Sequence, residues 1–311
     1  MNRTLLHRIE AGGAAFVLAL GAQHFCGCET ANVLSQGVAA VGVASGTITA
    51  QQGQSLVRST EAVGKAFETL TPENEYYVGR AVMATVLQKY QPHDRPDLNL
   101  YLNTLGRALA ANSEMPETFG GYHFLALDSE DINAFAAPGG LIVVTRGLLR
   151  CCRNEDALAA VLAHEIGHVQ CRHGIKAINT SRWTGAVTTV ATEAGKSLGG
   201  KDLAEATRAL EGSVSDIAQT MMNSGYGRAA ERQADLAAVA ILRNTGYNPA
   251  ALIDMLQVMK AKLKPGGHDF TKTHPDPQER IASVMPAVGA MPAVQEPPAR
   301  QQRFQQYFRE F

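Results

Sequence analysis

The sequence has almost no imbalance of charge: 28 Lys and Arg stand against 29 Asp and Glu, a formal net charge of -1 over 311 residues. No global field therefore draws the chain to nucleic acid, and no long run of one sign marks a charged tail. Aromatics are few, at 6%, and no internal repeat is visible. Cysteine is scarce as well, with five residues, two of them adjacent at Cys151 and Cys152, so there is no disulfide framework. If residues 154–173 form one helix, Cys171 lies roughly 25 Å from that adjacent pair, whereas a bridge needs Cα atoms within about 7 Å. Buried free thiols are expected. Apolar runs are short: "AGGAAFVLALGA" falls below the roughly 20 residues that span a bilayer. The length is that of one large domain with appendages, with room for a sizeable core.

What is present begins with a leader. Arg3 and Arg8 precede the apolar run and Phe25-Cys26-Gly27-Cys28 follows it, the order of a signal peptide. Small Gly27 before Cys28 resembles a bacterial lipobox, although Phe25 and Cys26 are not its usual residues. Lipidation at Cys28, simple secretion and an uncleaved anchor are the readings; Glu10 and the scarcity of serine count against a mitochondrial presequence. Residues 31–57 carry no charge and read as a tether. The expected organisation is a leader over 1–28, a tether over 29–60, a main domain over 61–285, and a Pro-rich tail over 286–311. Phe304, Tyr307, Phe308 and Phe311 give that tail one apolar helical face, for docking on its own domain or for binding a partner.

The body of the chain reads as α+β, mainly helical, with a small antiparallel sheet. Thr71 and Glu73 open a helix over 72–90, and another follows "DRPDLNLYLNTLGRALAAN". "GYHFLALDS", "INAFAA" and "LIVVT" have the period of strands, and Pro138-Gly139-Gly140 should fold the last two into a hairpin. Asn154 caps the next helix, with Glu155 and Asp156 in its first turn where they complement the dipole. Residues 176–225 form an alanine-rich helical excursion, either a lid over the cleft or a helical pair behind the sheet.

That capped helix carries "HEIGHVQCRH". His164 and His168 are one turn apart, so both imidazoles leave the same face at the separation that two ligands of a tetrahedral zinc need. Glu165 lies about 100° around, beside the metal without competing for it, as a general base must. His173 is nine residues past His164, roughly 900° of rotation, which puts it on the far side of a continuous helix. A second helix must supply the third ligand. "AERQAD" offers Glu231 and Asp235 one turn apart, so one carboxylate can bind metal while the other orients a histidine. Glu193 competes as ligand but has no acid four residues on.

Together "HEIGHVQCRH", "NAFAAPGGLIVVTRGLL", "AERQAD" and "THPDPQERI" resemble the HtpX / CAAX prenyl protease type of zinc metallopeptidase, metallopeptidase family forty-eight, in its secreted bacterial BepA/LoiP-like branch. The resemblance covers residues 70 to 285. It implies a zincin core of gluzincin type, one Zn2+ held by His164, His168 and Glu231, and Glu165 activating water. It brings His274 toward the site, to hydrogen-bond the developing oxyanion or to fill the open zinc position, unless His274 only caps the following helix. Arg280 is expected as a buried ion-pair partner, with Arg228 and Tyr226 as weaker candidates to support the ligands. The implied activity is an exported, periplasmic zinc endopeptidase acting on unfolded envelope polypeptides, beside the outer-membrane assembly machinery. A chaperone-like assembly factor that rarely cuts is the alternative; zinc in a purely structural role is disfavoured, because three ligands leave a position open beside an acid.

Overall fold

The computed structural model describes residue 49 and residues 70–178, 211–262, 274, 277–289 and 294–308. The leader with its lipobox, all of the tether but Thr49, Glu193 and most of the 176–225 excursion lie outside the described residues. The chain divides into two compact units, Met1–Glu68 and Thr69–Phe311, and every element named below belongs to the second.

Helix α1 (Pro72–Lys89) starts where expected: the Thr71 side chain accepts the Asn74 backbone N–H at 3.2 Å. Helix α2 (Pro96–Ala110) follows, burying Leu98, Leu102, Leu105 and Leu109 along one face. Three strands come next, β1 (His123–Leu127), β2 (Ala134–Ala137) and β3 (Leu141–Thr145). The turn Pro138–Gly140 folds β2 onto β3 as the expected antiparallel hairpin, with Ala137 opposite Leu141. Gly139 (φ 76°) and Gly140 (φ 89°) take backbone conformations that only glycine adopts freely. Strand β1 pairs with β3 in parallel, so the order is β1-β3-β2 and the sheet is mixed. The reason is topological: β2 returns antiparallel to β1 but leaves one strand's width between them, which β3 fills.

After a short helix α3 (Arg146–Leu149) comes α4 (Glu155–Gln170), capped by the Asn154 side chain on the Ala157 N–H at 2.9 Å. Every residue from Glu155 to Val169 is buried, the charged and histidine side chains included, because other elements surround the helix. It is the centre of this unit, packed against α2, β2, α6 (Arg228–Asn244) and α7 (Ala250–Lys262). Leu158, Leu162 and Ile166 join Leu102, Ile142, Leu242 and Leu256 in one core. Helix α8 (Pro277–Gly289) closes against α6 and α7. Residues 211–219 are helical and run into a π-helical turn, Thr220–Ser224.

The continuous helix expected through residue 173 stops at Gln170. Arg172 takes a left-handed conformation (φ 54°), and a new short helix, α5 (His173–Lys176), sets off in another direction. A non-glycine residue there is strained, and tertiary contacts hold it: the Arg172 guanidinium pairs with buried Glu75 at 2.9 Å and reaches the Leu70 carbonyl.

The tail helix α9 (Pro298–Phe308) docks on its own domain, the first of the two readings of that segment. Phe304 is buried, and Tyr307 stacks on Tyr101 with ring centroids 4.6 Å apart. Cys151 and Cys152 are buried free thiols, as expected. Cys171 corrects the expectation that it too is free: it is disulfide-bonded. Among the described residues, no helix is long and apolar enough to cross a membrane.

Candidate metal centre

Helices α4 and α6 meet unusually closely, and one residue of "HEIGH" permits it. A Cβ on Gly167 would stand 2.7 Å from the Ala234 carbonyl oxygen, closer than real contacts allow. With no side chain there, the turn of α4 carrying His164, Glu165 and His168 faces the turn of α6 carrying Glu231 and Asp235.

The donor atoms converge. His164 Nε2 and His168 Nε2 are 3.1 Å apart, His168 Nε2 lies 3.4 Å from Glu231 Oε1, and His164 Nε2 lies 3.5 Å from Glu231 Oε2. Ligands at 2.0–2.1 Å from a tetrahedral zinc stand roughly 3.3 Å from one another. The spacing fits. His274 is the fourth member: ligand atoms of His164, His168, Glu231 and His274 all lie within 4.8 Å of one another, and all four residues are buried. Its Nδ1 is 2.9 Å from both Glu231 oxygens. A nitrogen- and carboxylate-rich set of this size is a candidate zinc-binding cluster.

Glu165 is buried beside this cluster, and its Oε1 has no hydrogen-bond partner among the described residues. A buried carboxylate oxygen without a partner is costly unless something else engages it. Burial raises its pKa, against the pull of His164 and His168. Tyr226 lies face to face with His168 at 4.5 Å between ring centroids, and its buried hydroxyl also has no hydrogen-bond partner among the described residues.

The surrounding charges hold the ligands in position. Asp235 Oδ1 is 2.9 Å from His164 Nδ1, the nitrogen facing away from the cluster. Arg280 donates to both oxygens of Asp235, at 2.6 and 2.9 Å, and reaches Glu231 Oε2 at 3.4 Å, so it is the buried ion-pair partner expected. Burial alone would raise the Glu231 carboxyl, but His274, Arg280 and His168 outweigh it and hold it well below the usual carboxylate range. Burial and Arg280 oppose a second proton on His164; Asp235 and Glu231 prevail and lift its pKa to about 9.

Arg228 does not join the cluster. It sits in the first turn of α6 with a side chain 79% exposed, paired with Glu279 at 3.0 Å. Conversely, His173, which a continuous helix would carry to the far side, lies against the site. The turn at Arg172 swings it back until its Nδ1 lies 2.9 Å from His168 Nδ1, with Gln233 Oε1 2.9 Å from its Nε2. The sequence carried no signal for that turn, because arginine rarely adopts the left-handed conformation that glycine or asparagine would announce.

Comparison with known proteins agrees with this geometry. The chain is 30% identical to the Beta-barrel assembly-enhancing protease of Escherichia coli (strain K12) over 191 residues, 61% of this chain but 38% of that protein. It is 28% identical to Metalloprotease LoiP of the same organism over 191 residues, 70% of that protein. It is also 28% identical to Mitochondrial metalloendopeptidase OMA1 of Schizosaccharomyces pombe over 224 residues, 60% of that protein. The family model of peptidase family M48 matches residues 96–287, which include His164, Glu165, His168, Glu231 and His274. With well over half of its length matched and a metal-binding cluster assembled inside the match, the chain belongs to peptidase family M48.

Proposed function

We propose that the protein is a zinc-dependent endopeptidase that hydrolyses unfolded or misassembled envelope proteins, with His164, His168 and Glu231 as zinc ligands and Glu165 as general base. One observation carries the reading: the ring nitrogens of His164 and His168 and the two carboxylate oxygens of Glu231 that face them stand 3.1–3.5 Å from their neighbours, beside a buried Glu165 whose Oε1 is unpartnered among the described residues. Zinc, when bound, polarises a carbonyl and acidifies water. Glu165 takes the proton from the attacking water and returns it to the leaving amine nitrogen. Its raised pKa suits both halves of that task. Asp235 fixes the His164 ring and Arg280 anchors Asp235, so the ligands are oriented before substrate arrives. Strand β2 is an edge strand, whose only strand partner among the described residues is β3. A substrate in extended form adds there, its main chain paired along Ile132–Ala137.

Unfolded envelope proteins are favoured as substrates by the leader pattern at Arg3, Arg8 and Cys28 and by relatives whose printed name concerns β-barrel assembly. Export to the periplasm, lipid anchoring at Cys28 and contact with outer-membrane assembly machinery belong to the same proposal, as does membership of the secreted BepA/LoiP-like branch. A second reading, an assembly factor that binds more than it cuts, is favoured by His274, which is buried within ligand distance of the cluster. In that position it either fills the vacant ligand site at rest or supports the oxyanion when substrate displaces it.

The test is Glu165→Gln. Zinc content near that of wild type with no cleavage of an unfolded β-barrel protein is expected; undiminished cleavage would overturn the mechanism. His274→Ala separates the two roles of His274: faster cleavage marks a resting occupant, slower cleavage an oxyanion partner.

A further inference from the structure

We propose that His173 and Gln233 form a relay that fixes the tautomer of His168 and so presents its Nε2 lone pair to the metal. The inference rests on the reading of His168 as a ligand, but the relay itself lies outside the ligand set. His168 Nδ1 and His173 Nδ1 are 2.9 Å apart, a hydrogen bond between two ring nitrogens, only one of which carries the proton. The other end of His173 decides which. Its Nε2 lies 2.9 Å from Gln233 Oε1, an acceptor, so Nε2 carries the hydrogen of the neutral ring and Nδ1 is left as a lone pair. His168 must then donate from Nδ1. That leaves a lone pair on His168 Nε2, the atom facing His164 and Glu231.

Reversing the amide of Gln233 reverses each step. An N–H donor toward His173 Nε2 would put the hydrogen on His173 Nδ1, make His168 Nδ1 the acceptor, and place a hydrogen on His168 Nε2 where the metal must bind. Only one proton order is compatible with a ligand. The two histidine ligands are thus oriented by different means: His164 by the carboxylate of Asp235, His168 by a neutral imidazole keyed by an amide. Packing keeps the relay in register. His173 is buried, and Tyr226 lies over the face of His168, so the ring cannot turn away from its partner.

The probe is Zn2+ alone, measured on the full chain by competition with a chromophoric chelator, together with the melting temperature of the zinc-free protein. His173→Leu removes the acceptor and is expected to weaken zinc binding about 10- to 100-fold, the range for a lost ligand-orienting partner. Gln233→Lys replaces acceptor by donor on an exposed stretch of α6; it should weaken zinc by a similar factor and leave the zinc-free melting temperature unchanged. His173→Asn supplies an amide oxygen to His168 Nδ1 without needing Gln233, so it should bind zinc within about threefold of wild type. In the His173→Asn background Gln233→Lys should then have no effect. Equal weakening by Gln233→Lys in both backgrounds would mean that the lysine charge acts directly, and would overturn the relay; so would wild-type affinity in Gln233→Lys alone. His168→Ala is the control for the underlying reading. If it too binds zinc as wild type does, the ligand assignment fails; if it loses zinc while the relay variants do not, the relay alone fails.

Discussion

Asp235 Oδ1 stands 2.9 Å from His164 Nδ1, and both residues are buried. A charged acceptor on that nitrogen keeps its hydrogen there and turns the opposite nitrogen, the one a metal would bind, toward the cluster. Asp235→Asn preserves the shape but removes the charge that also anchors Arg280. Zinc affinity is expected to fall at least about tenfold, as read by chelator competition. An unchanged affinity would reduce Asp235 to a partner for Arg280.

Glu231 is the one ligand contributed by α6, and its carboxyl is shared among His164, His168, His274 and Arg280. Glu231→Ala should purify with little zinc, while the wild type holds about one ion per chain, the number a single cluster of this kind accommodates. Metal analysis by mass spectrometry checks it. Retention of a full zinc complement would point to His274 as the third ligand.

Much of this centre was legible in the sequence because it depends on helical periodicity. Asn154 and Glu155 announced the start of α4, the four-residue spacing of His164 and His168 announced a shared face, and the same spacing in Glu231 and Asp235 announced the facing helix. The hairpin was legible through Pro138-Gly139-Gly140. What was not legible depends on contacts distant in sequence. The left-handed Arg172 is held by Glu75, nearly a hundred positions away, so no local pattern predicted the return of His173. Arg228 shares a helical face with Glu231, but it sits at the solvent end of α6, where Glu279 rather than the cluster meets it. The parallel pairing of β1 with β3 follows from which gap the hairpin fills, and strand periodicity does not encode that.

Gly167 tests the crossing of α4 and α6. Gly167→Ala gains about 1 kcal/mol in helix propensity, but its methyl must displace the Ala234 carbonyl from a 2.7 Å approach. Overpacking of this kind costs about 1–3 kcal/mol. The net expectation is a lower melting temperature together with weaker zinc binding, since the displacement separates His168 from Glu231. If the melting temperature rises with zinc affinity intact, the two helices tolerate a wider spacing and the close approach is incidental.

Glu155 links the start of the site helix to the tail. It is fully buried and accepts hydrogen bonds from Tyr101, Tyr247 and the Arg303 guanidinium of α9. Burial pushes its carboxyl upward, but Arg303, Tyr101 and Tyr247 together outweigh it and hold the pKa below the ordinary value of 4.5. A carboxyl with a depressed folded pKa stabilises the fold fully above its unfolded pKa, and that contribution disappears as the pH falls through the folded value. Glu155→Gln should therefore cost about 2 kcal/mol at pH 7, from the loss of charge-assisted hydrogen bonds to a buried acceptor. The gap between wild-type and variant melting temperatures should stay constant from pH 7 to about 5 and narrow below about 4.5, where the Glu155 carboxyl of the unfolded chain takes up its proton, and close as the pH falls through the lower pKa of the folded protein. Thermal melts across that range check both claims. A gap that instead widens on acidification would mean that the carboxyl is neutral in the folded protein, and that α9 is held by its aromatic contacts with Tyr101 rather than by Arg303.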